Sequence, residues 1–247
     1  MTALAAAMPL AQSGGPVIPN FGRGDDCIRN NGKFCAKWFV DNFNERFLPR
    51  VGEHIKMTVI AVVIGFFIAF AAALLAHRHR RFELPFANVA SLFYTIPSIA
   101  LFQIMVPITG IGLLSIEIAL VSYTLLILFR NILTGLREVP GEVKEAAEGM
   151  GLTRRQILLR VELPLAVPAI MAGVRVATVT TISLATIAAF ITPLGLGAPI
   201  FNAIQSGANT EFVAASLLAI ALALFADMLI VLAQRFVSPW TRARRGS

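Results

Sequence analysis

The sequence predicts an all-α integral membrane protein of five transmembrane helices, with the N-terminus outside and the C-terminus in the cytoplasm. Two observations carry that prediction. Of the 247 residues, 57% are hydrophobic and 14% charged, where a soluble domain has about 25% charged residues; the mean hydropathy is +0.75. The apolar residues also gather into uncharged runs, and a helix of about 20 such residues crosses a bilayer core. The basic residues between the runs alternate by side. Segments 77–83, 130–162 and 235–247 hold 3, 6 and 4 Lys or Arg, and segments 107–113 and 192–211 hold none. Because positive loops are retained inside, the first three are placed in the cytoplasm and the other two outside.

Taken in order, residues 1–52 read as an extracytoplasmic segment. Residues 1–30 are polar, punctuated by Gly and Pro, and expected to be poorly ordered. Their start, MTALAAAMPLAQS, lacks the basic region of a secretory signal. From about Lys33 to Arg50, Phe39, Phe43 and Phe47 recur every four residues opposite Lys37, Asp41, Asn44 and Glu45. That pattern is an amphipathic helix, lying on the membrane surface or packed on the protein itself; the residues leave both open. Cys27 and Cys35 sit in this outer, oxidising segment, where disulfides persist. With Asn30-Asn31-Gly32 as a turn between them, they are expected to be bridged.

The membrane core is residues 53–236, with spans at about 57–76, 86–106, 114–133, 166–191 and 212–234; residues 237–247 form a basic cytoplasmic tail with Arg242, Arg244 and Arg245. The uncharged run Leu84–Ile116 is too long for one helix, and Pro107, Gly110 and Gly112 divide it. Pro97 frees a carbonyl inside the second span and is expected to kink it. The outer segment Thr192–Glu211, rich in Gly and Pro, reads as structured, either as a loop or as a short re-entrant helix.

Composition also excludes functions. The net charge of +7 is spread over membrane boundaries rather than gathered on one soluble domain, so nucleic acid is not an expected partner. No Cys/His cluster has zinc spacing and no G-x-x-x-x-G-K-[ST] phosphate loop occurs. Neither a metal nor a cofactor is expected in this chain, no catalytic residue is assigned, and the chain is not read as an enzyme.

The one long charged interruption is Pro140–Pro164, PGEVKEAAEGMGLTRRQILLRVELP. Pro140 suits a helix start. Val143, Ala146, Ala147 and Met150 recur on one face, with Glu142, Lys144, Glu145 and Glu148 more exposed. Gly149 and Gly151 permit the left-handed conformation that ends such a helix. Thr153 and Gln156 then form a capping box for a second short helix carrying Ile157, Leu158 and Val161.

The order Glu145-Ala146-Ala147, Gly151, Val161, Leu163-Pro164 resembles the EAA loop of ABC-importer permeases. Thr95-Ile96-Pro97-Ser98, Gly110-Ile111-Gly112 and Leu194-Gly195-Leu196-Gly197 look like the osmoprotectant branch of that family, which shares a five-span core with methionine-type permeases. The resemblance covers roughly Glu53 to Phe236. It implies a multi-pass cell-membrane permease importing glycine betaine, choline, carnitine or related quaternary amines. Glu145, Ala146, Ala147, Gly151, Leu163 and Pro164 would couple it to two ATPase subunits, which hold the ATP and Mg. A second, identical or different permease subunit, an extracytoplasmic substrate-binding protein and the surrounding lipid complete the expected partners. A permease for amino acids or other small cationic solutes is an alternative, as is a passive channel or membrane scaffold.

Within the spans, Ser91, Tyr94, Thr95 and Ser98 form one polar stripe and Thr178, Thr181 and Thr186 another. Both are read as lining the pathway, or else as packing with their hydroxyls turned back on their own helices. Three ionisable side chains are embedded. Glu117 is expected to reach the headgroups, whereas Arg175 and Asp227 lie at matching depth and are expected to pair.

Overall fold

The structure, a computed structural model, describes residues 26–238. The expectations for residues 1–25 and for the basic tail therefore fall outside the described residues. Among the described residues every regular element is helical. After a single turn at Asp26–Arg29 come α1 (Ala36–Arg78), α2 (Glu83–Thr95), α3 (Ser98–Thr109), α4 (Leu113–Arg137), α5 (Gly141–Gly149), α6 (Arg154–Ala188), α7 (Gly197–Ser206) and α8 (Asn209–Val237). Four of these, α1, α4, α6 and α8, are long and apolar enough to cross a membrane, and α2 with α3 makes a bent pair that adds a fifth if counted as one span.

Tertiary contacts fix the directions. The loop just before α1 meets the α7–α8 turn, Asn31 bonding Gly207 and Gly32 bonding Thr210, and the end of α1 meets the first turns of α6 through His77 and Glu162. Gly135 near the end of α4 abuts Ala166 and Ala169 of α6. So α1, α4 and α8 run one way and α6 the other, with α5 and α7 at opposite ends of α6. At 1.5 Å per residue that helix separates them by about 50 Å.

Small residues let the helices touch, as packing between apolar spans requires. A Cβ at Gly135 would lie 2.8 Å from the Ala169 Cβ, and one at Gly173 would lie 2.6 Å from the Asn131 Cβ. Around these crossings one buried cluster joins Ala69, Ala73, Phe129, Ile132, Leu136, Ala166 and Ala177. A second, nearer α7, joins Met57, Leu101, Phe102, Ile116, Leu120 and Ala185.

The structure corrects several sequence expectations. The amphipathic segment and the first span are one helix, α1. Its aromatic side packs on the protein: Phe47 is buried against Ala214 and Ala215, with Trp38, Phe39 and Phe43 alongside. The helix survives Pro49 because a π-helical turn, Phe43–Phe47, precedes it. That wider turn accommodates the ring and the missing N–H. The same device, Leu158–Glu162 before Pro164, joins the expected second short helix to the fourth span as continuous α6.

The expected second span is not a kinked helix but two helices meeting at 101°. Ile96 and Pro97 are extended at the elbow, and the Tyr123 hydroxyl donates to the Ile96 carbonyl, so the break is capped from α4. Glu117 does not reach outward; it is 7% exposed. Lys144 leaves the exposed face to pair with Glu162, Nζ to Oε1 at 2.8 Å. The segment after Thr192 contains a helix, α7.

Candidate functional site

The loop between α4 and α6 is built for rigidity. Pro140 starts α5, and Gly151, at φ +81°, ends it. Around that glycine the Leu152 N–H donates to the Ala147 carbonyl at 3.2 Å and the Gly151 N–H to the Glu148 carbonyl at 2.9 Å. This paired closure satisfies the last carbonyls of the helix. Gly149 stays helical and needs no special conformation. Two residues on, the capping box forms: the Gln156 N–H donates to Thr153 Oγ1 at 3.4 Å and the Thr153 N–H to Gln156 Oε1 at 2.8 Å.

What α5 presents is apolar as well as acidic. Ala147 is buried, yet Val143 is 39% and Met150 73% exposed, with Ala146 exposed between them. Glu142, Glu145 and Glu148 flank this strip and are exposed too. Val143, Ala146 and Met150 follow helical spacing on one open face, so α5 offers an amphipathic surface that no other described residue covers. Leu163 and Pro164 lie half-buried at its foot, where Leu163 packs on the core of α1, α4 and α6.

That foot is pinned by Glu162, which is 7% exposed. Its Oε1 accepts from Lys144 of α5, and its Oε2 accepts from His77 Nε2 of α1 at 3.0 Å. Nearby, Arg137 at the end of α4 grips Glu83 at the start of α2, its Nη1 donating to Oε1 at 2.8 Å and its Nη2 to Oε2 at 2.6 Å.

At the other end the chain is clamped. Cys27 and Cys35 form a disulfide with Cα atoms 5.9 Å apart. The loop they close grips the α7–α8 turn: Asn31 Nδ2 donates to the Gly207 carbonyl at 2.7 Å, and the Asn209 N–H donates to Asn31 Oδ1 at 3.0 Å. Thr210 Oγ1 donates to the Gly32 carbonyl at 2.9 Å and accepts from the Cys35 N–H at 3.2 Å. A second clamp holds the approach to α7. Arg50 Nη1 donates to the Pro193 carbonyl at 2.8 Å, and Glu53 Oε2 accepts from the Gly195 N–H at 2.9 Å. The buried His54 accepts from the Leu196 N–H at Nδ1, 3.2 Å. Its proton therefore sits on Nε2, which donates to the Ile182 carbonyl of α6 at 3.0 Å.

Of the embedded candidates, Arg175 and Asp227 meet in a bidentate pair between α6 and α8, with Arg175 Nη2 donating to Oδ2 at 2.8 Å. Two parallel charge-assisted bonds of this kind are directional as well as strong. The pair lines a cleft of about 1000 Å³ with Thr180, Gln234 and Arg235. Ser91, Tyr94, Thr95 and Ser98 come together at the α2–α3 elbow. Tyr94 and Thr95 are exposed there, Ser91 and Ser98 half-buried, and the Tyr94 ring meets Tyr123 edge-on at 6.0 Å. The threonines of α6 part company. Thr178 and Thr186 are half-buried, while Thr181 is 1% exposed inside the subunit. All three hydroxyls donate to their own helix, at the Val174, Ala177 and Ser183 carbonyls.

Sequence reasoning missed Glu162, His77, Glu53 and His54. Their signal was present but weak: isolated polar residues just outside apolar runs, with partners far along the chain. Among the described residues no cluster of three potential metal ligands occurs.

Comparison with known proteins now fits this geometry. The family described as "Binding-protein-dependent transport system inner membrane component" matches residues 61–243. The choline transport system permease protein OpuBB of Bacillus subtilis is 31% identical over 201 residues, covering 81% of this chain and 93% of that protein. The osmoprotectant import permease protein OsmW of Salmonella typhimurium is 35% identical over 192 residues, covering 76% and 89%. Among solved structures, an inward-facing conformation of the MetNI methionine ABC transporter superposes with a TM-score of 0.67 at 24% identity, over 76% of this chain and 94% of that one. That likeness concerns the fold. An all-helical core of spanning length, the open amphipathic loop between α4 and α6, and these matches together place the chain in the family of binding-protein-dependent inner-membrane transport components, as a multi-pass ABC-importer permease subunit.

Proposed function

We propose that this permease imports osmoprotectants of the quaternary ammonium type, such as choline, glycine betaine or carnitine, powered by ATP hydrolysed in separate subunits. The substrate class rests on relatives named as choline and osmoprotectant permeases. The observation that carries the mechanism is α5: a short helix with a rigid turn behind it and an apolar, acid-flanked face left uncovered. An ATPase subunit gripping that face meets Met150, Val143 and Ala146 as contact area and Glu145 as a charge-assisted acceptor. On this reading the α5 end is cytoplasmic, five passes put the N-terminus outside, and α7 faces a substrate-binding protein.

Two permease subunits would enclose the pathway. Tyr94, at the elbow, offers a ring face to a passing cation, beside Thr95, Ser91 and Ser98; Thr178 and Thr186 supply polar positions on α6. Thr181, inside the subunit, takes no part in that lining. The Arg175–Asp227 pair holds α6 to α8 at the cleft between them. ATP binding would draw the paired ATPases together and tilt α5, and α6, continuous from Arg154 to Ala188, would carry the movement across.

The test is reconstitution of the permease with its own ATPase and binding protein in lipid vesicles. Labelled choline and glycine betaine should accumulate only with ATP and all components present. Glu145→Arg should leave the permease in the membrane but abolish ATPase capture. Uptake without the ATPase would favour a channel instead.

A further inference from the structure

Glu162 is the point where the docking loop, the first long helix and α6 touch through charge. Each of its oxygens has a separate partner: Oε1 takes Lys144 of α5 at 2.8 Å, and Oε2 takes His77 of α1 at 3.0 Å. Among the described residues, Lys144 provides the one side-chain ion pair between α5 and the rest of the subunit. The remaining charged residues of α5, Glu142, Glu145 and Glu148, are exposed. Position matters as much as pairing. Glu162 closes the π-helical turn Leu158–Glu162, two residues before Pro164, where the backbone ladder of α6 is already interrupted. His77 lies in the last turn of α1, just before the chain leaves the helix at His79.

A buried carboxylate is a poor choice for stability alone. Apolar residues of similar volume often hold a fold as well or better, while an ion pair fixes geometry and register. We propose that Glu162 is a positioning residue for transport, linking displacement of α5 to the end of α1 through Lys144 and His77. The proposal rests on the reading of α5 as the ATPase-docking helix and adds the route by which its movement leaves the loop. Without this link, α5 keeps its covalent ends and its packing on the first turns of α6, with Ala147 buried, but among the described residues it has no charged tie toward α1. A push on α5 would then flex the Gly151 turn instead of shifting α1. With the link intact, α1 and α6 move with the loop, and α1 carries the movement toward its far end, where Arg50, Glu53 and His54 hold the segment before α7.

The experiment compares wild type, Lys144→Met and Lys144→Arg in the reconstituted complex, because Lys144 lies outside the spans and its loss spares their folding. Three quantities are read: ATPase copurifying with the permease, choline accumulated per ATP hydrolysed, and nucleotide-dependent hydrogen exchange in α5 and in residues 72–78. The expected result is that Lys144→Met retains the ATPase but transports about tenfold less choline per ATP. Its exchange response persists in α5 and vanishes at residues 72–78, and Lys144→Arg restores both readouts. Unchanged coupling in Lys144→Met, with a wild type that docks its ATPase, overturns the Glu162 link alone. A wild type that captures no ATPase overturns the docking assignment on which the link rests. Loss of ATPase capture by Lys144→Met also contradicts the proposal, because it makes Lys144 a docking contact.

Discussion

The two ends of α6 are held in opposite ways. At the α7 end the chain is enclosed: a disulfide loop bonds the α7–α8 turn, Arg50, Glu53 and His54 fix the Pro193–Leu196 segment, and Gly195, Leu196, Gly197, Ala198 and Pro199 are all buried. At the α5 end a helix of nine residues rests on the first turns of α6 through Ala147 and one buried carboxylate, with its apolar strip open. One end is held together by its own side chains, and the other, on the proposed reading, is left open for an ATPase subunit. That difference is what an importer subunit needs, because force must enter at a surface that can be gripped, while the opposite end must hold its shape until the spans themselves move.

Substitutions that break this contrast rank by how much buried structure they disturb. The largest effect is expected at Gly197, where a Cβ would run into the Thr186 carbonyl and lie 2.6 Å from the Ala189 Cβ. Neither neighbour is the end of a flexible side chain, so Gly197→Ala should cost about 3 kcal/mol by overpacking. A thermal melt of the purified subunit should show a clear drop, with α7 losing its seat.

Next is the disulfide. Replacing Cys27 and Cys35 together with Ser releases a short loop and should cost about 2–3 kcal/mol. The loss should be local: exchange should rise in residues 26–35 and at the α7–α8 turn, while α5 is unaffected. Uniform loosening at both ends would mean that the two ends of α6 are not held independently.

The smallest change in stability belongs to the exposed strip. Met150→Glu buries nothing and breaks no recorded contact, so stability should move by no more than about 0.5 kcal/mol. Yet a charge at the most exposed position of the proposed docking face should weaken ATPase capture by about tenfold. If stability falls and capture does not, the strip packs within the subunit and is not an interface.

The legible parts of the molecule were those with local causes. The α5 loop stands out as a polar interruption, and its turn and capping box are set by residues within a few positions of each other, Gly151, Thr153 and Gln156. The Arg175–Asp227 pair was legible because two charges in apolar spans must find partners, and depth alone matched them. The elbow was not: Pro97 announces a disturbance, but the break at Ile96 is capped by Tyr123, 27 residues beyond Ile96. Glu162 and His77 are 85 apart, and His54 and Ile182 are 128 apart, so only the fold brings them together. The π-helical turns before Pro49 and Pro164 were also hidden, since a proline read by itself predicts a helix end. Both were needed to see that α1 and α6 run unbroken from one end of the subunit to the other.

On the proposed reading, ATP-driven force enters this subunit through the α5 loop, and Gly151→Val disturbs the turn that keeps that loop rigid. Gly151 has a left-handed backbone and no atom within 4 Å of a Cβ placed there. Valine therefore strains the turn by about 1–2 kcal/mol without colliding with the spans. The measurement is binding-protein-stimulated ATP hydrolysis beside choline uptake in reconstituted vesicles, wild type against Gly151→Val at equal permease content. The expected result is a folded, inserted subunit whose stimulated hydrolysis is lost or proceeds without uptake. Hydrolysis and uptake both at wild-type levels would contradict it and remove α5 as the site of coupling.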